Sequence, residues 1–252
     1  MSYFLILTFL FAIGSMIGWG IEVIYRRFVS QKHWVNPGFL TGPCLPLYGM
    51  SLCSLYLLAQ IEDAMPSELL GIRKLLLFII MAIAITCLEY FVGVISLKVT
   101  KIRLWDYTDR WGNIQGMICP LYSFFWMLLS AIYYFFVHPH ILSALAWLAQ
   151  NLAFSFGIGF FYGIFVIDLA YSIQLMRKLR LFAEEHEIII RLEELREDIY
   201  QHLSEHKTKK PNFLLSLHTG TPMSEMLERY HTLHFDKEKF KEKLHLNVHH
   251  KD

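Results

Sequence analysis

Apolar residues run in long blocks through the first 175 positions of this 252-residue chain, and polar residues fall mainly between the blocks. A bilayer core of about 30 Å needs about 20 apolar residues in helical form. Five segments approach that length, at 3–25, 45–61, 75–97, 117–137 and 152–173. The second is the shortest and needs part of the preceding Gly/Pro-rich stretch to cross fully. The last apolar run begins near Ile141. A straight helix from there to Leu175 would be about 52 Å long, more than the core requires. Gln150 and Asn151 interrupt it, so residues 141–149 are expected in the interface or as an angled lead-in, with a sixth crossing as the alternative. The pattern predicts an all-α, polytopic membrane helix bundle of about five transmembrane helices.

Beyond position 175 the pattern changes. Ile188, Leu192, Leu195 and Ile199 are spaced 4-3-4 among charged residues, which predicts an amphipathic helix with a short a/d seam. Such a seam either packs on the protein's own loops or joins a homodimer or cytoplasmic partner through residues 181–203. Lys207–Pro211 ends the helix, and SEMLERYHTLH carries a second short helical pattern. The chain therefore divides into a transmembrane domain, 1–175, and a charged helical tail, 176–252.

Within the first domain the helix pairs repeat. One copy, at about 10–60, reads GWGIEVIY, a basic loop, then NPGFLTGPCLPLYG; the other, at about 80–137, reads CLEYFVG, a basic loop, then NIQGMICPLYSFFW. Each has an acid late in its first span, Glu22 or Glu89, and an Asn opening the return, Asn36 or Asn113. Each then has glycines (Gly38 and Gly42, or Gly116), a cysteine, and Pro-Leu-Tyr at 46–48 or 120–122. Two spans separate equivalent points, so the copies share one orientation, as in parallel repeats. Pro43, Pro46 and Pro120 fit a non-helical re-entry and helix start ahead of Tyr48 and Tyr122, which membrane depth tolerates only where protein or water satisfies the freed backbone.

Composition sharpens this picture. The chain is 55% hydrophobic and 15% aromatic, with a mean hydropathy of +0.38 despite the polar tail, which sets it apart from ordinary soluble proteins. The net charge of +1 hides a split: residues 1–175 hold nine Lys/Arg and eight Asp/Glu, and residues 176–252 hold fourteen of each. No field of one sign points to nucleic acid. Cys44, Cys53, Cys87 and Cys119 lie in or beside apolar runs without a CxxC pair and are expected reduced, with neither zinc nor disulfides. The N-terminus lacks a basic n-region and a small-residue cleavage site, so the first span is expected to be retained. Arg26, Arg27 and Lys32 in one loop, Lys98, Lys101, Arg103 and Arg110 in another, and Arg177, Lys178 and Arg180 after the last span are the basic clusters. The positive-inside rule then places the N-terminus outside and the tail in the cytoplasm.

GWGIEVIY, NPGFLTGPCLPLYG, LEYFVG and LWDYTDRWGNIQGMICPLYSFFW together resemble the bacterial membrane family known as putative ABC-transporter type IV, or CmpB-like. The likeness covers roughly residues 10–130, and more loosely the body to 173. At one point the chain departs from it: Pro37 stands between Asn and Gly, where the family usually has a basic residue. The resemblance implies a transport-associated permease in the bacterial plasma membrane. The chain has no P-loop GxxxxGK[ST], so an ABC role requires a separate ATPase.

Ionisable residues within spans are costly and are candidates for function by default. Glu22, Glu89 and Asp168 qualify. Glu22 has Arg26 one turn on, whereas Glu89 and Asp168 each lie nine residues before the next basic side chain. If the three converge they make a cation- or proton-binding site; otherwise they tie helices together. Asn36 and Asn113 either cap the helices that follow or contact a ligand. Trp105 and Tyr107 look like interfacial anchors, with Asp106 pairing to Arg103 or Arg110. GSMIG and GFFYG are GxxxG patterns that allow close helix approach. His245, His249 and His250 are read as solvated rather than metal-bound. No HExxH or GxSxG motif marks an enzyme, no cofactor is implied, and the alternative to transport is a membrane scaffold or regulatory partner acting through the cytoplasmic helix.

Overall fold

The computed structural model describes residues 2–64, 72–205 and 223–233. Helix α1, Tyr3–Tyr25, starts at Ser2, whose hydroxyl accepts the Leu5 N–H at 3.3 Å. It runs into a widened turn, Arg26–Ser30, and then a non-helical loop. Helix α2 is Pro46–Ala59, α3 is Arg73–Thr100, and α4 is Pro120–Ile132. Both α2 and α4 open on proline, which has no N–H to lose in a first turn and a φ already suited to helix. A second widened turn, Tyr133–Val137, joins α4 to α5, His138–Gln150, and absorbs Pro139. The last long helix is α6, Ser155–Glu185.

Four helical stretches are long and apolar enough to cross a membrane: Tyr3–Ser30, Arg73–Thr100, Pro120–Gln150 and Ser155–Glu185. Segment 45–61 forms the 14-residue helix α2, which a tighter helical stretch at Gln60–Ala64 continues without a break. Gly38 at φ +76° and the prolines that follow keep the preceding chain out of helix. Residues 141–149 differ from expectation, for they continue the helix of α4. The break before α6 falls at Asn151, with φ −122° and ψ 57°.

Helices α1 and α2 pack antiparallel through small residues. Gly14 lies against Leu52, Gly18 against Tyr48, and Gly49 against Ser15 and Phe11. The far side of α2 joins α3 and α4 in a core of Leu55, Ala59, Leu77, Met81, Ile85 and Trp126. Helix α6 meets α1 where the Tyr162 hydroxyl donates to the Thr8 carbonyl at 2.9 Å. Most of its apolar side chains face outward, Phe156 and Ile167 among them, as a lipid-facing helix requires. Gly157, Gly159 and Gly163 have open space where a Cβ would stand. The GxxxG pattern at Gly14 and Gly18 therefore serves packing inside the chain, and the one at Gly159 and Gly163 does not.

A small cap closes one end of the bundle. Strand β1, Ile102–Arg103, pairs in parallel with β2, Ile190–Arg191. Helix α7, Leu192–Glu205, follows, and α8 spans residues 223–233. Leu192, Leu195 and Ile199 of the seam are buried with Ile102, Leu179, Ile190, Met226, Leu227 and Tyr230. The amphipathic seam is thus covered by the chain itself. The four cysteines are free thiols, and His245, His249 and His250 lie outside the described residues.

A Cβ at position 18 would collide with the Tyr48 ring, whereas one at 159 would meet nothing. Gly18→Ala is expected to destabilise the protein by about 1–3 kcal/mol, and Gly159→Ala to leave it unchanged or slightly firmer. Thermal unfolding of the two variants in the same detergent checks this contrast.

Candidate functional site

The site grows out of the two loops that precede α2 and α4. In the first, Asn36 is 1% exposed and works as a staple. Its amide nitrogen donates to the Leu40 and Thr41 carbonyls at 3.3 and 2.7 Å, and its oxygen accepts the Trp19 indole N–H at 2.7 Å. Asp168 of α6 holds the next turn, accepting the Thr41 and Gly42 N–H groups at 3.0 and 2.9 Å and the Ser172 hydroxyl at 3.3 Å. A Cβ on Gly42 would stand 3.0 Å from that carboxylate. In the second loop Asn113 donates to the Thr108 and Arg110 carbonyls and accepts the Gly116 N–H at 3.0 Å. Gly116 sits at φ +71°. Neither Asn caps the helix after it, because the N-cap positions are Leu45 and Cys119 and neither makes a side-chain cap bond.

Glu22 and Glu89 lie where the two pairs of helices meet. Glu22 accepts the Arg26 Nε at 3.0 Å and the Tyr48 hydroxyl at 3.1 Å. Glu89 is 2% exposed. Its Oε1 accepts the Tyr107 hydroxyl at 3.3 Å, while its buried Oε2 has no hydrogen-bond partner among the described residues. The Trp126 indole stands beside the same carboxylate, and Glu22 is within its electrostatic reach. The Tyr48 ring packs on Trp126 with centroids 4.9 Å apart. A continuous path therefore runs from Glu22 through Tyr48 and Trp126 to Glu89. Tyr107 also stacks on Tyr122 at 4.3 Å, and the Tyr122 and Tyr25 hydroxyls are 3.1 Å apart. Burial, then the neighbouring Glu89, hold the Tyr107 phenol well above its ordinary range, so it stays a neutral donor.

The tail helix is tied to both loops. Arg26, already on Glu22, donates to Glu193 at 2.6 Å. Arg196 donates to the Asn36 carbonyl at 2.8 Å from a buried position, and burial and the nearby Arg26 push its guanidinium down to about 9, so it is still charged at neutral pH. The His33 ring stacks on Tyr200 at 4.2 Å and lies 3.4 Å from Glu197. Asp106 pairs with Arg103 at 3.1 Å, as one of its two expected partners, and with Arg191 at 3.0 Å.

Of the residues singled out from the sequence, Glu22 and Glu89 come together, with Tyr48 and Tyr122 beside them. Asn36, Asn113 and Asp168 shape the loops, and Asp106 joins the second loop to the cap. Tyr107 and Trp126 escaped the sequence reading as site residues. Tyr107 sits in a Trp-Asp-Tyr string that resembles an interfacial anchor, and Trp126 is one of many aromatics in an apolar run. Glu193 and Arg196 escaped it too, although both lie off the apolar seam of α7, where the face that meets the loops had to be.

A bundle of long apolar helices with buried carboxylates and a polar cap at one end defines an integral membrane protein. Residues 9–173 match the family described as "Putative ABC-transporter type IV", and the chain belongs to that family. No curated protein and no solved structure matches it.

Two loop N–H groups depend on Asp168. Asp168→Ala strips both of a charged acceptor, a loss of about 1–3 kcal/mol. Hydrogen exchange at the Thr41 and Gly42 amides should accelerate in that variant, while the amides of α3 keep their protection.

Proposed function

We propose that this protein is a non-enzymatic, permease-like transport component of the bacterial plasma membrane. The N-terminus lies outside and the capped end faces the cytoplasm. The reading rests on one observation: Glu22 and Glu89, one from each helix pair, converge through Tyr48 and Trp126 beside the non-helical loops. Carboxylates at such depth are expensive to keep unless they serve a pathway. The two pairs are duplicated units whose junction forms the site. Gathering both basic loops and α7 at one end supports the orientation. A separate ATPase supplies the energy, since this chain carries no P-loop.

The ties of α7 to both loops favour a second reading, a scaffold or regulator that acts through the cap. Complementation of a strain lacking the gene separates the two. Under the transport reading Glu89→Gln abolishes function although the protein still inserts, as membrane immunoblots will show. Under the scaffold reading Glu89→Gln is silent and deletion of 176–252 abolishes function. Normal activity of Glu89→Gln in inserted protein would sink the carboxylate mechanism.

A further inference from the structure

The turn that ends α1 sorts its positive charges onto two sides. Arg26 and His33 meet acids of the cap, Arg26 reaching Glu193 at 2.6 Å and His33 lying 3.4 Å from Glu197. Arg27 and Lys32, each next in sequence to one of these, make no ion pair with a carboxylate among the described residues. The backbone holds the second pair together. The Arg26 carbonyl accepts the Gln31 and Lys32 N–H groups at 2.8 and 3.1 Å, Lys32 adopts φ +60°, and the Arg27 guanidinium donates to the Lys32 carbonyl. That guanidinium also lies over the Phe28 and Trp34 rings, 5.8 and 5.7 Å from their centroids. The first span ends at Ser30, and just before its end Phe28 and Val29 are 70% and 62% exposed. Trp34 and Lys32 are exposed beside them. Apolar side chains that face outward at the end of a span lie against lipid, and the cations next to them stand at headgroup level.

We propose that Arg27 and Lys32, with Phe28, Val29 and Trp34 around them, form a docking surface for an anionic phospholipid. Charge complementarity selects this occupant. The chain supplies carboxylates to Arg26 and His33 and none to Arg27 and Lys32, so the anion that matches the outer pair comes from outside. Basic side chains at the end of a span attract anionic headgroups, and a guanidinium offers a phosphate two parallel donors. The apolar side chains fix the source of that phosphate. An anion that carries its own acyl chains covers Phe28 and Val29 while its headgroup meets the two cations. A free phosphate leaves those side chains uncovered. The same turn then joins lipid on one side to the acids of α7 on the other.

This inference is independent of the transport reading, and its test reads binding alone. The full chain in detergent is titrated with phosphatidylglycerol and with phosphatidylcholine, and the lipid that stays with the protein through gel filtration is measured by mass spectrometry. Phosphatidylglycerol should be held at least about fivefold more tightly, and the preference should shrink as salt is raised. Arg27→Gln combined with Lys32→Gln should abolish the preference. Lys32→Gln alone, at an exposed side chain, should lower it severalfold with thermal unfolding unchanged, so the result does not depend on one variant folding. Lys178→Gln combined with Arg180→Gln removes the same charge from exposed positions of α6 and should leave the preference intact. Equal retention of the two lipids by the wild type, or an equal loss in the α6 control, overturns the proposal. Displacement of phosphatidylglycerol by inorganic phosphate at equal concentration would mark a free-phosphate site and overturn it as well.

Discussion

Everything at the capped end follows from one constraint: a loop that leaves helical geometry beside a membrane must have its polar backbone satisfied by protein. The first loop meets it from three directions. Asn36 binds two loop carbonyls from within, Asp168 binds two N–H groups from α6, and Arg196 binds the Asn36 carbonyl from α7. Each tie draws another element into place. Asp168 fixes α6 against the first loop, and Arg196 and Glu193 fix the tail helix over it. With the loop held, Pro46 starts α2 where Tyr48 can reach Glu22, and the close approach of α1 and α2 at Gly14 and Gly18 keeps it there.

The electrostatics of the site come from an unequal distribution of positive charge. Arg26 stands between Glu22 and Glu193 and neutralises the first helix pair together with the cap. Among the described residues no comparable charge approaches Glu89, which has a phenol hydroxyl and an indole for neighbours. One acid is part of an ion network, and the other is held by a hydroxyl and an indole.

Much of the architecture was legible in the chain because it depends on local pattern. Block length marked the long helices, proline marked the starts of α2 and α4, and the 4-3-4 spacing marked α7. Backbone chemistry marked the breaks: Gly38 and the prolines keep the chain ahead of the second segment out of helix, and the polar Gln150-Asn151 pair that interrupts the last apolar run is where the helix before α6 ends. The site was legible only in part. Glu22 with Arg26 is an i,i+4 pair and could be read directly. The partners of Asp168 lie more than a hundred positions away and are backbone groups, which carry no residue signature. The asparagines, expected as caps or ligand contacts, fasten loops several residues upstream of the helices. The seam of α7 left two covers open, the protein's own chain or a partner, and the chain itself covers it.

The central claim is that Glu22 and Glu89 form one site across the junction of the helix pairs. A double-mutant cycle tests it directly: the stability of the detergent-solubilised protein is measured for the wild type, Glu22→Gln, Glu89→Gln and the double variant. The account predicts that the two substitutions fail to add by at least about 0.5 kcal/mol, the coupling of neighbouring groups. Effects that sum to within about 0.3 kcal/mol would mark the two acids as independent and contradict a shared site.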